Sequence, residues 1–288
     1  MKQNYETSGF GKPPVYFLTF PGSPRLPRYE ELKRQYPELK LFLGCPASLI
    51  GDARFARLTS SPFHKLWIRP KRLLRGEVAC YLTHLLFLKH MVDLKLNSSV
   101  VIEDDGLPDF EKLMPFTTEL QKDPRVTFCS FCSNHDNRSQ YLKTSIYKTI
   151  NGIDLKISQT GLMGAVGLYL TQNYARRRLK ECFPIFRPVD SYYHLSGPRP
   201  FLFTVPSLVG FKSMESLIAS QSERKLVGKA SVIRSSGKPI TWRLPINVYQ
   251  TCMRIVLRVA FWQEAKIRQE LNQFETEIAA LSSAKLSK

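Results

Sequence analysis

The stretch SSVVIEDDG, residues 98–106, joins an apolar run to three consecutive carboxylates, Glu103, Asp104 and Asp105. Val100 to Ile102 read as a buried strand, since a short β-branched run bounded by polar residues suits a sheet. Three adjacent carboxylates repel one another, so a metal ion or a basic side chain should offset them. Side chains alternate along a strand, which would send Glu103 and Asp105 to one side and Asp104 to the other. Two hard oxygens aimed into one crevice suit Mn²⁺ or Mg²⁺, which in turn bridges a diphosphate. The competing reading makes the same acids caps for a helix starting near Asp109, or partners of surface lysines.

Working outward from this stretch, the chain alternates. VYFLTF (15–20) reads as a strand ending in the turn PGSPRLPR, RYEELKRQY (28–36) as a helix stopped by Pro37, and LKLFLG (39–44) as a second strand. A loop rich in Ser, Pro and Arg follows, through LTSSPFHKLWIRPKRLLRG. Gly76 then opens a helix with Val78, Leu82, Leu85 and Leu86 at core spacing. Beyond the acidic triplet, PDFEKLMPFTTELQ reads as a helix interrupted or kinked at Pro115, and RVTFCSF as a strand. Strands alternating with helices predict an α/β fold with a mainly parallel central sheet. In such sheets ligands bind beyond the carboxyl ends of the strands, where Glu103 to Asp105 sit.

The 288 residues are enough for one large domain or two modest ones. The formal charge of +18 predicts an anionic partner: nucleic acid, an anionic membrane surface or a phosphorylated substrate. Six cysteines (45, 80, 129, 132, 182 and 252) are scattered. Cys129 and Cys132 form a CxxC, but no second pair completes a zinc set, and the motif ends a strand where a redox pair would open a helix. Structural thiols are the expectation. The N-terminal MKQNYETSGFGKPP lacks a charged start followed by an apolar core, and no segment supplies ~18 uninterrupted apolar residues. A cytoplasmic location is expected, peripheral at most on the inner face of the cytoplasmic membrane.

GEVACYLTHLLFLKH (76–90) followed by SSVVIEDDGLPDF (98–110) resembles the glycosyltransferase family 25 pattern, a G-E-x-x-C-x-x-S-H segment and then a strand ending in E-D-D. Gly76, Glu77, Cys80 and His84 match it, and Thr83 replaces the usual Ser while keeping the hydroxyl. GLMGAVGLYLTQNYARRRL and RPVD (187–190) resemble later segments more loosely. The resemblance covers roughly residues 13–216. It implies a GT-A-like nucleotide-sugar-binding fold and inverting, metal-dependent transfer of galactose or glucose from a UDP-sugar. The acceptor would be a glycan or glycolipid of the lipopolysaccharide or lipooligosaccharide type. On that reading Glu103 and Asp105 hold the metal, with His194 as a further ligand. Glu77, His84 and Asp104 face the substrate, and Asp190 is the base that deprotonates the acceptor hydroxyl. Two alternatives stand beside it: a GT-A-like protein that has lost chemistry and only binds, and a basic nucleic-acid-binding protein.

Each of these residues also has a plainer role open to it. Asp190 could cap a short helix through SYYHL, and His84 could be a hydrogen-bonded core histidine. Arg25 and Arg28, in the turn after the first strand, are placed to meet a diphosphate through their planar forks, or are simply solvated. YARRRLKEC (174–182) spreads its three arginines over about 200° of a helix. No nucleic-acid motif accompanies it, so a solvated face is expected first and an anionic surface second.

The main domain is expected over 13–211, with a basic linker and long helix over 212–288. This tail holds 13 Lys and Arg against 6 Glu. A helix from about Val248 to Leu281 carries Met253, Leu257, Ala260, Ile267, Leu271, Phe274, Ile278 and Leu281 at 4-3 spacing, broken by Glu264. Packing of that seam on the main domain is expected first, a homodimer through it second. Contact with an anionic membrane through Arg254, Arg258 and Trp262 comes third.

Overall fold

The computed structural model of the chain describes residues 11–59, 73–132, 144–158, 165–180, 185, 189, 201–211 and 264–286. In chain order these form β1 (Val15–Thr19), α1 (Leu26–Gln35), β2 (Lys40–Leu43), α2 (Asp52–Thr59) and α3 (Arg75–Asp93). Then come β3 (Ser98–Glu103), β4 (Gly106–Pro108), α4 (Phe110–Gln121), β5 (Phe128–Ser130), β6 (Thr144–Ile150) and β7 (Ile153–Ser158). β8 (Gly167–Thr171), α5 (Gln172–Leu179), β9 (Phe201–Val205), β10 (Val209–Phe211) and α6 (Glu264–Leu286) complete them.

Eight strands make one sheet in the order β2-β1-β3-β8-β5-β9-β7-β6, and β4 pairs with β10 in a small second sheet. The expectation of a mainly parallel sheet is corrected. Only β1–β2, β1–β3 and β5–β9 run parallel, whereas β8 lies antiparallel between β3 and β5, and β6–β7 and β7–β9 are antiparallel. The sheet is mixed because its second half is built from the β6–β7 hairpin and its neighbour β9. In the hairpin, Lys148, Asp154 and Lys156 interrupt the apolar pattern.

Strand alternation sorts the core. Val15, Phe17, Val100 and Ile102 pack with Tyr29 and Leu32 of α1 and with Leu113, Phe116 and Leu120 of α4. Tyr16, Leu18, Val101, Leu168 and Leu170 pack on the other side with Val78, Leu82, Leu85 and Leu86 of α3 and Tyr174 of α5. Each such side chain, fully buried, contributes about 1.5–3 kcal/mol. α4 continues through Pro115, and α2 occupies the start of what reads as a loop in sequence.

α6 closes over α3 and α2. Leu271, Phe274 and Ile278 of the expected seam are buried in the same core as α3. Arg54 makes a bidentate pair with Glu277 at 2.7 and 2.9 Å, and its guanidinium carbon sits 4.2 Å from the centre of the Phe274 ring. Glu270 receives Arg57 at 2.7 Å, and Glu275 receives Lys89 at 2.9 Å. Glu264, expected as a break in the seam, is the first residue of the described helix. Residues 248–263, with Arg254, Arg258 and Trp262, lie outside the described residues.

Arg178 departs from the expected solvated face. Arg176 and Arg177 are exposed, but Arg178 falls one turn after Tyr174, on the buried side of α5. It is 0% exposed, and its Nε donates to the Tyr174 hydroxyl at 3.0 Å. Cys129 and Cys132 are buried free thiols, and burial pushes the Cys129 thiol well above its ordinary range. Among the described residues no helix is long and apolar enough to cross a membrane.

Candidate active site

β1 and β3 run parallel with Leu18 beside Glu103, so their carboxyl ends open on one crevice. After β1 the chain reverses through Gly22, whose φ of 78° suits glycine, and brings Ser23 and Arg25 back over the end of β3. Arg25 is 8% exposed. Its Nη1 donates to Asp104 Oδ1 at 2.6 Å and lies 3.8 Å from Asp105 Oδ2. The Thr19 and Ser23 hydroxyls donate to Asp104 Oδ2 at 3.2 and 3.5 Å. A basic side chain therefore does offset part of the triplet's repulsion. Burial still pushes the Asp104 carboxyl up, against the pull of Arg25.

The triplet does not alternate as a strand would. β3 ends at Glu103, and Asp104 and Asp105 form the turn into β4. Glu103, one residue after Ile102, projects to the α3 side. Its Oε1 lies 2.8 Å from His84 Nε2 and accepts a weak bond from the Cys80 thiol at 3.6 Å. Cys80 and His84 meet it together because they stand one turn apart on α3. His84 is 2% exposed, which matches the hydrogen-bonded core alternative, and it meets the crevice through Glu103. Burial first, then the charge of Glu103, push the Cys80 thiol well above its ordinary range, so it stays protonated.

Asp105 is the least satisfied of the three acids. Its Oδ1 is buried without a hydrogen-bond partner. Burial, followed by the charges of Glu103 and Asp104, pushes its carboxyl up to about 7. An orphaned carboxylate oxygen beside two further acids fits a divalent cation, whose charge would offset what Arg25 leaves uncompensated. Glu103 and Asp105 offer the hard oxygens for Mn²⁺ or Mg²⁺. Cys80, His84 and Glu103 form a second, softer donor set, with ligand atoms within 4.8 Å of one another.

Arg28 lies on the other wall. Its Nη2 donates to the Gly106 carbonyl at 2.7 Å, while its Nε is buried without a partner. Glu77 sits in the first turn of α3, where its Oε2 accepts from the Leu74 N–H at 2.9 Å, a capping contact. Asp190 and His194 lie outside the described residues.

Thr83 has a part that the sequence does not announce. Its hydroxyl donates to the Ala79 carbonyl and accepts from the Cys45 N–H, both at 3.0 Å, tying α3 to the end of β2. A Cβ on Gly44 would come within 2.1 Å of Thr83 Cγ2, so this close approach needs glycine there. Thr19 and Ser23 also go unnoticed in sequence; their signal is only that hydroxyls flank the turn that carries Arg25.

No curated protein matches the chain. Residues 52–193, a span that holds the α3 motif and the acidic triplet, match the model of glycosyltransferase family 25 (LPS biosynthesis protein).

Proposed function

We propose that this crevice transfers a hexose, galactose or glucose, from a UDP-sugar to a glycan acceptor of the lipopolysaccharide or lipooligosaccharide type, with inversion. The observation that carries the reading is the pair of orphaned groups in one crevice: the Asp105 Oδ1 acceptor and the Arg28 Nε donor. A nucleoside diphosphate with its cation answers both at once, and the match to a glycosyltransferase family model supports glycosyl transfer as the reaction class. Mn²⁺ or Mg²⁺ held by Asp105 and Glu103 would neutralise charge on the leaving diphosphate.

The protein's own residues do the rest. Arg28 holds a phosphate oxygen, and Arg25 opposes the effect of burial on Asp104 and holds it in place. His84 and Cys80 fix the orientation of Glu103. Asp190 takes the proton of the acceptor hydroxyl as the new bond to the anomeric carbon forms and the bond to the diphosphate breaks. Asp190→Asn should therefore slow transfer by 10²-fold or more, on the order expected for general base catalysis, with UDP-sugar affinity nearly unchanged. A variant that loses stability and keeps its turnover per folded molecule would make Asp190 a helix cap. UDP-sugar protection in a thermal melt, with and without Mn²⁺, tests the donor itself. Protection without turnover on any acceptor would favour the binding-only alternative, and no protection by any UDP-sugar would remove the reading.

A further inference from the structure

At the far end of α3 from the acidic triplet lies a cavity of about 610 Å³, walled by α3, α5 and α6. Lys89 lies nine residues beyond Cys80, about 13 Å along the helix by its rise per residue, so the two sites are separate. The volume falls within the range of small-molecule sites. Four of its lining side chains are cationic, Lys89, Arg176, Lys180 and Arg268, against the single carboxylate of Asp93.

The cations differ in how they are used. Lys89 is shared between Asp93 at 2.6 Å and Glu275 at 2.9 Å, so it closes the floor. Arg176 and Lys180 stand one turn apart at the exposed end of α5, and Arg268 comes from α6 across the opening. Two helix C-termini also end here, each contributing about half a negative charge. They account for part of the cationic excess, and Arg176 and Lys180, both exposed at the end of α5, add to what remains. Val92, Leu179 and Leu271 supply apolar wall between the charges, which lowers the local dielectric and strengthens any ion pair formed there.

We propose that this cavity is a binding site for a phosphate group, the Arg176 guanidinium supplying a two-pronged contact and Lys180 further charge. The group could be a soluble phosphate ester or the headgroup of an anionic lipid. Because α6 forms one wall, occupancy also holds that helix against α3 and α5. The site stands independently of the reaction in the acidic crevice.

The test compares the full chain with its Arg176→Ser/Lys180→Ser double variant, both positions being exposed. Inorganic phosphate, against chloride at matched ionic strength, should raise the unfolding midpoint of the unsubstituted chain saturably. The double variant should need at least about tenfold more phosphate for the same shift. Sedimentation with phosphatidylcholine vesicles, with and without phosphatidic acid, identifies the source. Pull-down that depends on phosphatidic acid and is lost in the variant assigns a lipid headgroup. A phosphate response without it assigns a soluble ester. No saturable response in either arm, or equal responses in both proteins, overturns the proposal. Should the double variant fold poorly, Lys180→Ser alone carries the same comparison. UDP-sugar protection in the variant reads the acidic crevice separately, so the two readings fail independently.

Discussion

Asp105→Asn should make the protein more stable while abolishing transfer, and the size of the gain should depend on pH. The Asp105 carboxyl is pushed from its ordinary value of 3.8 up to about 7, chiefly by burial and then by Glu103 and Asp104. Between those two values the unfolded chain has released the proton that the folded chain retains. The unfolded state then binds fewer protons, so stability falls as pH rises through this window. At 1.36 kcal/mol per unit, a gap of about three units costs about 4 kcal/mol at pH 8, an upper figure since solvent screens part of it. Asparagine fills the same space without the charge, and its amide can donate to the neighbouring carboxylates. Urea unfolding should give equal midpoints for the two proteins below pH 4 and a variant more stable by about 2–4 kcal/mol at pH 8. Mn²⁺ should stabilise the unsubstituted chain at pH 8 and act little on the variant. Equal destabilisation of Asp105→Asn at both pH values would refute the idea that Asp105 carries uncompensated charge. Full transfer activity in the variant would remove it from the machinery.

Arg25→Gln should cost about 3–5 kcal/mol by chemical denaturation, because Asp104 is left buried with an unpaired charge, and Asp104→Asn in the same chain should restore part of it; additive losses in the double variant would show that the pair is not coupled. Phe274→Ala should cost about 3–5 kcal/mol, since that ring is 0% exposed under Arg54; a loss below 1 kcal/mol would mean that α6 does not rest on the core in solution. Thr83→Val should cost about 1–3 kcal/mol by leaving the Cys45 N–H unsatisfied, with Thr83→Ser close to the unsubstituted protein; identical midpoints for Val and Ser variants would deny the bridge.

The parts legible in sequence are those where one physical signal dominates. β3 was legible because a β-branched run ends in carboxylates, and α3 because its apolar positions recur at helical spacing, although the helix begins at Arg75, one residue before the expected Gly76. Which of its residues are buried was not legible, since that depends on elements that arrive from far along the chain, α6 among them. The antiparallel half of the sheet was hidden for a similar reason. Lys148, Lys156 and Asp154 break up the apolar pattern of the β6–β7 hairpin, whose outer strand is largely exposed. At the site, the need for a counter-charge was plain from the triplet alone. That Arg25 provides it depends on the reversal at Gly22, a distance of 79 residues in sequence that no local pattern encodes.

The spacing of the α3 motif now has a mechanical explanation. Glu77, Cys80, Thr83 and His84 each make a different contact, and only two of them reach Glu103. Glu77 caps the helix start and Thr83 pins it to the end of β2. Cys80 and His84 then fall where they can hold the carboxylate of Glu103. Farther along, Lys89 anchors α6 through Glu275. A displacement of α3 by even part of a turn would break the His84–Glu103 contact and release the Glu103 carboxylate from its fixed orientation. The capping and bridging residues therefore act on the crevice without touching it: they hold α3 in the register that fixes the orientation of the Glu103 carboxylate.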